Sequence, residues 1–306
     1  LKFNFTSAVW SGVYLLLLLS LQYPALSIFT LFVMIVPVVI LFNMLNTKQF
    51  IVHMVLVWAI ALLIRFDLTL LIMAVYFAIP ALVMGMCYKR RVSSLRTILL
   101  GAATILVEIL LMLFLGSLVF QFNLAEYIED ITNMIMAPLL DASSNPFMSS
   151  MPWTQDDVNR LSKVTVLKIP YALIVSSFVM AIIAHALARP TLTNLGHNVP
   201  KLKPAHEWRF PRSLIWYYLL SVVIEIIALN SDSSYLTLLS ANMGPVIDVF
   251  FRIQAIGFFF YLAYTRKWNT VIPVLIAFPV VIFPPMVIIG ILDIAFPLRQ
   301  FMTKSK

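Results

Sequence analysis

Charge, cysteine and glycine are all scarce in this chain, and each shortage removes a class of protein. Asp, Glu, Lys and Arg together make up 11% of the 306 residues, against about 25% in soluble domains, which leaves too little charge to clothe a water-facing surface. The single cysteine, Cys87, excludes an intrachain disulfide and any site built from several thiolates. Glycine occurs eight times, without the spacing of a P-loop, a dinucleotide-binding turn or a nucleophile elbow. His53, His185, His197 and His206 stand apart, with no HExxH and no paired-ligand spacing, and read as solvated or interfacial groups. No metal, no cofactor and no enzymatic activity are expected.

What the chain has in excess is apolar. Hydrophobic residues reach 62% and the mean hydropathy is +0.98, which places the chain among multispan membrane proteins. The expected fold is all-α, a polytopic transmembrane helical bundle forming one integral membrane domain over 1–306. Apolar runs near the ~20 residues that cross a ~30 Å hydrocarbon layer occupy 25–45, 51–64, 68–88, 97–120, 164–187, 213–229 and 246–264. A shorter run at 8–21 reads as a first helix rather than a cleaved leader, since a full span follows at once. Eight crossings result.

Two connectors interrupt them. In 121–163, Leu124, Tyr127, Ile128, Ile131 and Ile135 share one helical face while Glu126, Glu129 and Asp130 lie elsewhere, the pattern of an amphipathic helix at a membrane surface. Pro138 and residues 142–146 end that helix, and Thr154 with Asp157 form a capping box that starts the sixth span, kinked by Pro170. The second connector, 188–212, carries Arg189, Lys201, Lys203, Arg209 and Arg212 among prolines at 190, 200, 204 and 211.

With the amino terminus inside, thirteen Lys and Arg fall on the inner side and four, Arg65, Arg160, Lys163 and Lys168, on the outer. This positive-inside bias places the acidic insertion 121–163 outside and accounts for the net charge of +8 without nucleic acid. The stretch 269–298 resists the count. Pro273, Pro279, Pro284 and Pro285 break it, so it reads either as one kinked crossing or as a re-entrant pair of half-helices.

Charges inside such spans are the candidate functional groups, because each is costly in lipid and turns toward a partner or a cavity. Glu108, near the middle of its span, is either a solute or proton contact or an acid that holds two helices together. Glu225, Gln254 and Asp293 join it as candidate solute-binding residues; Asp293 follows Gly290 and stands close enough to Arg299 to pair with it. Asp248 and Arg252, at i and i+4, are an expected structural ion pair. Ser7 with Ser11, and Ala8 with Gly12, form a small-residue stripe that allows another helix to dock closely.

Arg212 and Trp216, Asn242, Ile253, Gln254 and Gly257, then Gly290, Asp293 and Arg299, together with Pro37 and Gly85 near the start, resemble the YybS-type family of bacterial multispan membrane proteins. The resemblance implies an inner-membrane protein and, as a partner, a membrane-bound cyclic-dinucleotide phosphodiesterase. The first spans are also similar to the substrate-binding subunits of energy-coupling-factor transporters, which would make Ser7, Ala8, Ser11 and Gly12 the docking point for a coupling subunit. The expectation is therefore a protein of the bacterial cytoplasmic membrane that binds or moves a small solute. The alternative is a non-transporting scaffold that holds a partner through 188–212.

Overall fold

The computed structural model describes residues 5–143, 153–296 and 298–304, and every regular element among them is helical. The chain opens with α1 (Phe5–Ser20), α2 (Pro24–Val33) and α3 (Ile35–Met44). Proline at the first position of α2 has no amide to waste there. Pro37 lacks the N–H that would bond the carbonyl of Val33, and α2 stops at that residue. The two pieces still form one apolar stretch, Pro24–Met44. Next come α4 (Thr47–Ile64), capped by the Asn46 side chain, which accepts from the Gln49 amide, and α5 (Leu68–Lys89), capped by Asp67. Then follow α6 (Ser94–Phe120), α7 (Leu124–Ser143), α8 (Gln155–Leu167) and α9 (Ile169–Asn194). The carboxyl part holds α10 (Ser213–Leu229), α11 (Ser234–Thr265), α12 (Val271–Ile282), α13 (Val287–Ala295) and α14 (Leu298–Lys304), with 3-10 turns at Ala205–Glu207 and Pro284–Met286.

Six of these stretches are long and apolar enough to cross a membrane, and α12 with α13 makes a seventh if that bent pair is one span. The remaining two of the eight expected crossings correspond to α1 and α10, which have 16 and 17 residues. Between α12 and α13 the axis turns by 115° at the Pro284–Met286 turn. A straight crossing is thereby excluded.

Several boundaries differ from those expected, and proline is the reason in each case. The capping box at Thr154 and Asp157 forms, but the helix it starts ends at Leu167 and a new one begins at Ile169. Pro170 does not kink a continuous helix; it removes the donor for the Val166 carbonyl, and the ladder lapses just before it. Conversely, Pro138, Pro190 and Pro245 lie inside α7, α9 and α11. One lost hydrogen bond does not break a helix held by its neighbours, so α7 runs to Ser143, α9 covers the first part of the basic connector, and α11 begins twelve residues before 246. The loop expected at 142–146 lies outside the described residues from 144 onward.

By internal contacts the chain divides into two compact units. The first comprises Leu1–Phe122 and Leu173–Leu202. Its core is the fully buried set Tyr14, Leu18, Ile40, Leu41, Phe77 and Met84, from α1, α3 and α5. Because lipid tails are as apolar as leucine, such packing is stabilised by close fit rather than by removal of apolar surface from water. Gly85 shows how tight the fit is, since a Cβ there would lie 2.5 Å from the Phe42 ring.

The second unit comprises Asn123–Ala172 and Lys203–Lys306. It is centred on α11, which packs against α10, α12 and α13. Gly290 brings the backbone of α13 against that of α11: a Cβ at this position would lie 2.7 Å from the carbonyl carbon of Phe251. No residue larger than glycine fits there.

Candidate functional site

Helix α11 carries the polar residues that organise the second unit, and two of them serve backbone groups that a proline or a helix break has freed. Asn242 stands at the α8–α9 break. Its Oδ1 accepts from the Tyr171 amide at 2.8 Å and its Nδ2 donates to the Leu167 carbonyl at 2.9 Å, so one side chain closes both open ends. Arg252 stands at the α12 break. Pro284 and Pro285 have no N–H for the carbonyls four residues earlier, those of Val280 and Val281, and Arg252 Nη1 donates to both. A cation at a helix carboxyl end is also favoured by the aligned peptide dipoles.

Gln254 leads to the most buried polar cluster of this unit. Its Oε1 accepts from the Phe210 amide at 2.8 Å, and its Nε2 donates to Asp293 Oδ2 at 2.5 Å. Asp293 in turn accepts from Arg299, whose Nη2 lies 2.7 Å from Oδ2 and whose Nε lies 3.1 Å from each carboxylate oxygen. The same guanidinium donates to the carbonyls of His206 and Trp208, both at 2.9 Å. The Tyr261 ring lies 5.1 Å from it, within cation–π range. Gln254 and Asp293 are 0% and 1% exposed. Arg299 thus ties α13, α14 and the extended segment after Lys203 into one piece around α11.

The sequence reading anticipated the pairing of Asp293 with Arg299 but not the rest of this arrangement. Gln254 and Asp293 do meet, but their hydrogen bonds are spent on Arg299 and on the protein's own backbone. Asp248 and Arg252 do not form the expected ion pair; among the described residues the guanidinium is committed to the α12 carbonyls. Glu225 is exposed on α10. Ser7 is buried and lies 3.2 Å from His53 Nε2, and Ser11 is half-buried, whereas Ala8 and Gly12 face outward. The stripe of four therefore divides between the core and the surface.

Glu108 belongs to the first unit. It is 8% exposed and shares the inward stripe of α6 with Gly101, Ala102 and Ile105. Both carboxylate oxygens are buried without a hydrogen-bond partner among the described residues. That state is rare, because a buried polar atom normally has a partner.

Two histidines correct the surface assignment. His53 and His185 are 4% and 3% exposed, and Tyr88 Oη lies 2.8 Å from His185 Nδ1. A histidine four residues after Gln49, bonded to that residue's carbonyl, looks in sequence like any helix-end histidine. That Arg299 also holds the carbonyls of His206 and Trp208 is equally invisible there, since it sits among interfacial-looking residues.

The match to known proteins agrees with this architecture. The family described as "Predicted membrane protein (DUF2232)" matches residues 13–294. A Bacillus subtilis (strain 168) protein called "Uncharacterized protein YybS" is 24% identical over 135 residues, and the matched stretch covers 43% of each chain. No solved structure matches. An all-helical chain with six or seven membrane-length stretches, matched along nearly its whole length, belongs to the DUF2232 family of predicted membrane proteins, of the YybS type.

Proposed function

We propose that this protein binds a small solute inside its membrane part and moves it, with Glu108 as the contact. The observation that carries the reading is the unpartnered Glu108 carboxyl group on an inward face of a membrane-length helix. A proton, a cation or a hydrogen-bonding solute satisfies such a group, and intramembrane acids without a protein partner belong to solute and ion routes. The polar residues of the second unit support the assignment by contrast. Asn242, Arg252, Gln254 and Asp293 are occupied by backbone or by neighbouring side chains. Asp248 and Glu225 are not buried, and Glu108 is the acid whose two oxygens are both buried without a partner among the described residues.

The basic inner loops support an orientation with the amino terminus inside a bacterial cytoplasmic membrane and α7 with α8 outside. A coupling subunit or a cyclic-dinucleotide phosphodiesterase is the kind of partner that the family resemblance implies.

The test uses the purified protein in detergent. Wild type, Glu108→Gln and Glu108→Ala are compared for folded yield and for thermal shift against a panel of small amines, amino acids, carboxylates and vitamins. A stabilising solute seen with wild type and lost in both variants, at unchanged yield, is the expected result. If no solute stabilises the wild type and both variants lose only yield, the acid is structural and the scaffold reading takes its place.

A further inference from the structure

We infer that the cleft between α7 and α8 is a binding site for a small solute carrying an ammonium group on a short aliphatic stem. The inference goes beyond the reading of Glu108 and does not depend on it, because all the residues concerned lie in the second unit.

The cleft has a volume of about 630 Å³, within the usual range for small-molecule sites of roughly 300–1,000 Å³. Its α7 wall carries Glu126 and Glu129, three residues apart and therefore neighbours on one helical face. Its α8 wall carries Ser162 and Lys163, and Val166 with Leu238 of α11 supplies an apolar side. No ion pair among the described residues joins Lys163 to either glutamate. Two carboxylates and one ammonium leave the cleft with a net negative charge, and this favours a cation.

The second observation is Ser162. It is 3% exposed, it lines the cleft, and its hydroxyl has no hydrogen-bond partner among the described residues. Helical hydroxyls ordinarily bond back to the carbonyl four residues earlier. Thr165 does so to Leu161 at 2.8 Å, and Thr132 does so to Ile128 at 2.7 Å. Ser162 leaves that option unused, and its hydroxyl stands buried and unpaired among the described residues in the wall of the cleft. A ligand ammonium set against Glu126 and Glu129, with its stem on Val166 and Leu238, complements the acidic and the apolar parts of the lining. Two kinds of solute bring this chemistry. A plain polyamine carries only ammonium groups, whereas a zwitterionic amino acid adds a carboxylate that Lys163 would meet.

Isothermal titration calorimetry on the full chain in detergent micelles tests the site, with spermidine and norvaline as the two probes. Saturable binding of either is expected, weakened at least tenfold in Glu126→Gln/Glu129→Gln and severalfold in Ser162→Ala, with melting temperatures unchanged. Asp130→Asn, which removes a nearby acid outside the lining, should bind as wild type. Should the double variant not fold, the single Glu129→Gln carries the same expectation at reduced size. Lys163→Ala decides the source: it removes norvaline binding if the ligand is zwitterionic, and preserves or strengthens spermidine binding if it is a polyamine. The inference is overturned if neither probe binds at millimolar concentration. It is also overturned if the glutamate variants bind within twofold of wild type, or if Asp130→Asn binds as weakly as they do.

Discussion

Replacing Arg299 by leucine should be among the most damaging single changes in the second unit. The variant leaves the Asp293 carboxylate, 1% exposed, with only the Gln254 amide beside it. Breaking a buried pair in this way costs about 3–5 kcal/mol. The carbonyls of His206 and Trp208 lose their donor at the same time, at about 1–3 kcal/mol each where no water replaces it. Taking the lower end of each contribution gives about 5 kcal/mol, against a total stability of about 5–15 kcal/mol for a typical domain. Arg299→Leu should therefore unfold the second unit at far lower SDS in a denaturant titration, and limited proteolysis should open the segment 203–212. The double variant Asp293→Leu/Arg299→Leu removes both charges together and should recover a large part of the loss, because no buried charge remains unpaired. An Arg299→Leu protein within about 1 kcal/mol of wild type, or a double-variant cycle without coupling, would refute the argument that this pair holds the unit together.

Two further outcomes follow from the caps. Arg252→Leu strips the donor from the carbonyls of Val280 and Val281, at about 1–3 kcal/mol per carbonyl, and should raise amide exchange around the Pro284–Met286 turn; Arg252→Lys, which keeps a donor, should fall between the two. The Thr154 hydroxyl, with help from the Thr154 amide, holds the Asp157 carboxyl below the usual carboxylate range. A depressed folded value means that its contribution is present above the unfolded pKa of about 3.9 and is lost as the pH falls through the lowered value. Amide exchange at the start of α8, corrected for its intrinsic rate, should stay flat from neutral pH down to the carboxylate range and rise below it; in Asp157→Asn it should be raised throughout.

How much of this the sequence discloses depends on whether the signal is local. Span length and the capping box at Thr154 are local, so α4, α5, α6 and the start of α8 fall within a few residues of their expected places. The effect of a proline is local only in part. Whether Pro170 breaks a helix while Pro245 does not depends on what lies beside it, and for Pro170 that is Asn242, 71 residues from the Tyr171 amide it caps. The intramembrane charges follow the same logic. Arg252 invites a pairing with Asp248 four residues away, whereas its actual partners lie 28 and 29 residues on. Glu108 was legible as a costly acid, and the absence of a partner for it is a property of α6 and its neighbours that no sequence pattern encodes. Ser162 reads as an ordinary polar residue of an amphipathic turn. Only the placement of α7 against α8 gives it a cleft to face.

The Arg299 clamp also has a consequence in time. His206 and the guanidinium that holds its carbonyl are 93 residues apart in the chain, and synthesis proceeds at about 5–20 residues per second. The segment after Lys203 therefore waits on the order of 5–20 s between leaving the ribosome and meeting the side chain that fixes it. During that interval α10 and α11 can already pair, but the backbone groups that Arg299 will bind depend on water. Any factor that attends the nascent chain meets an open loop there, and the finished protein no longer presents one.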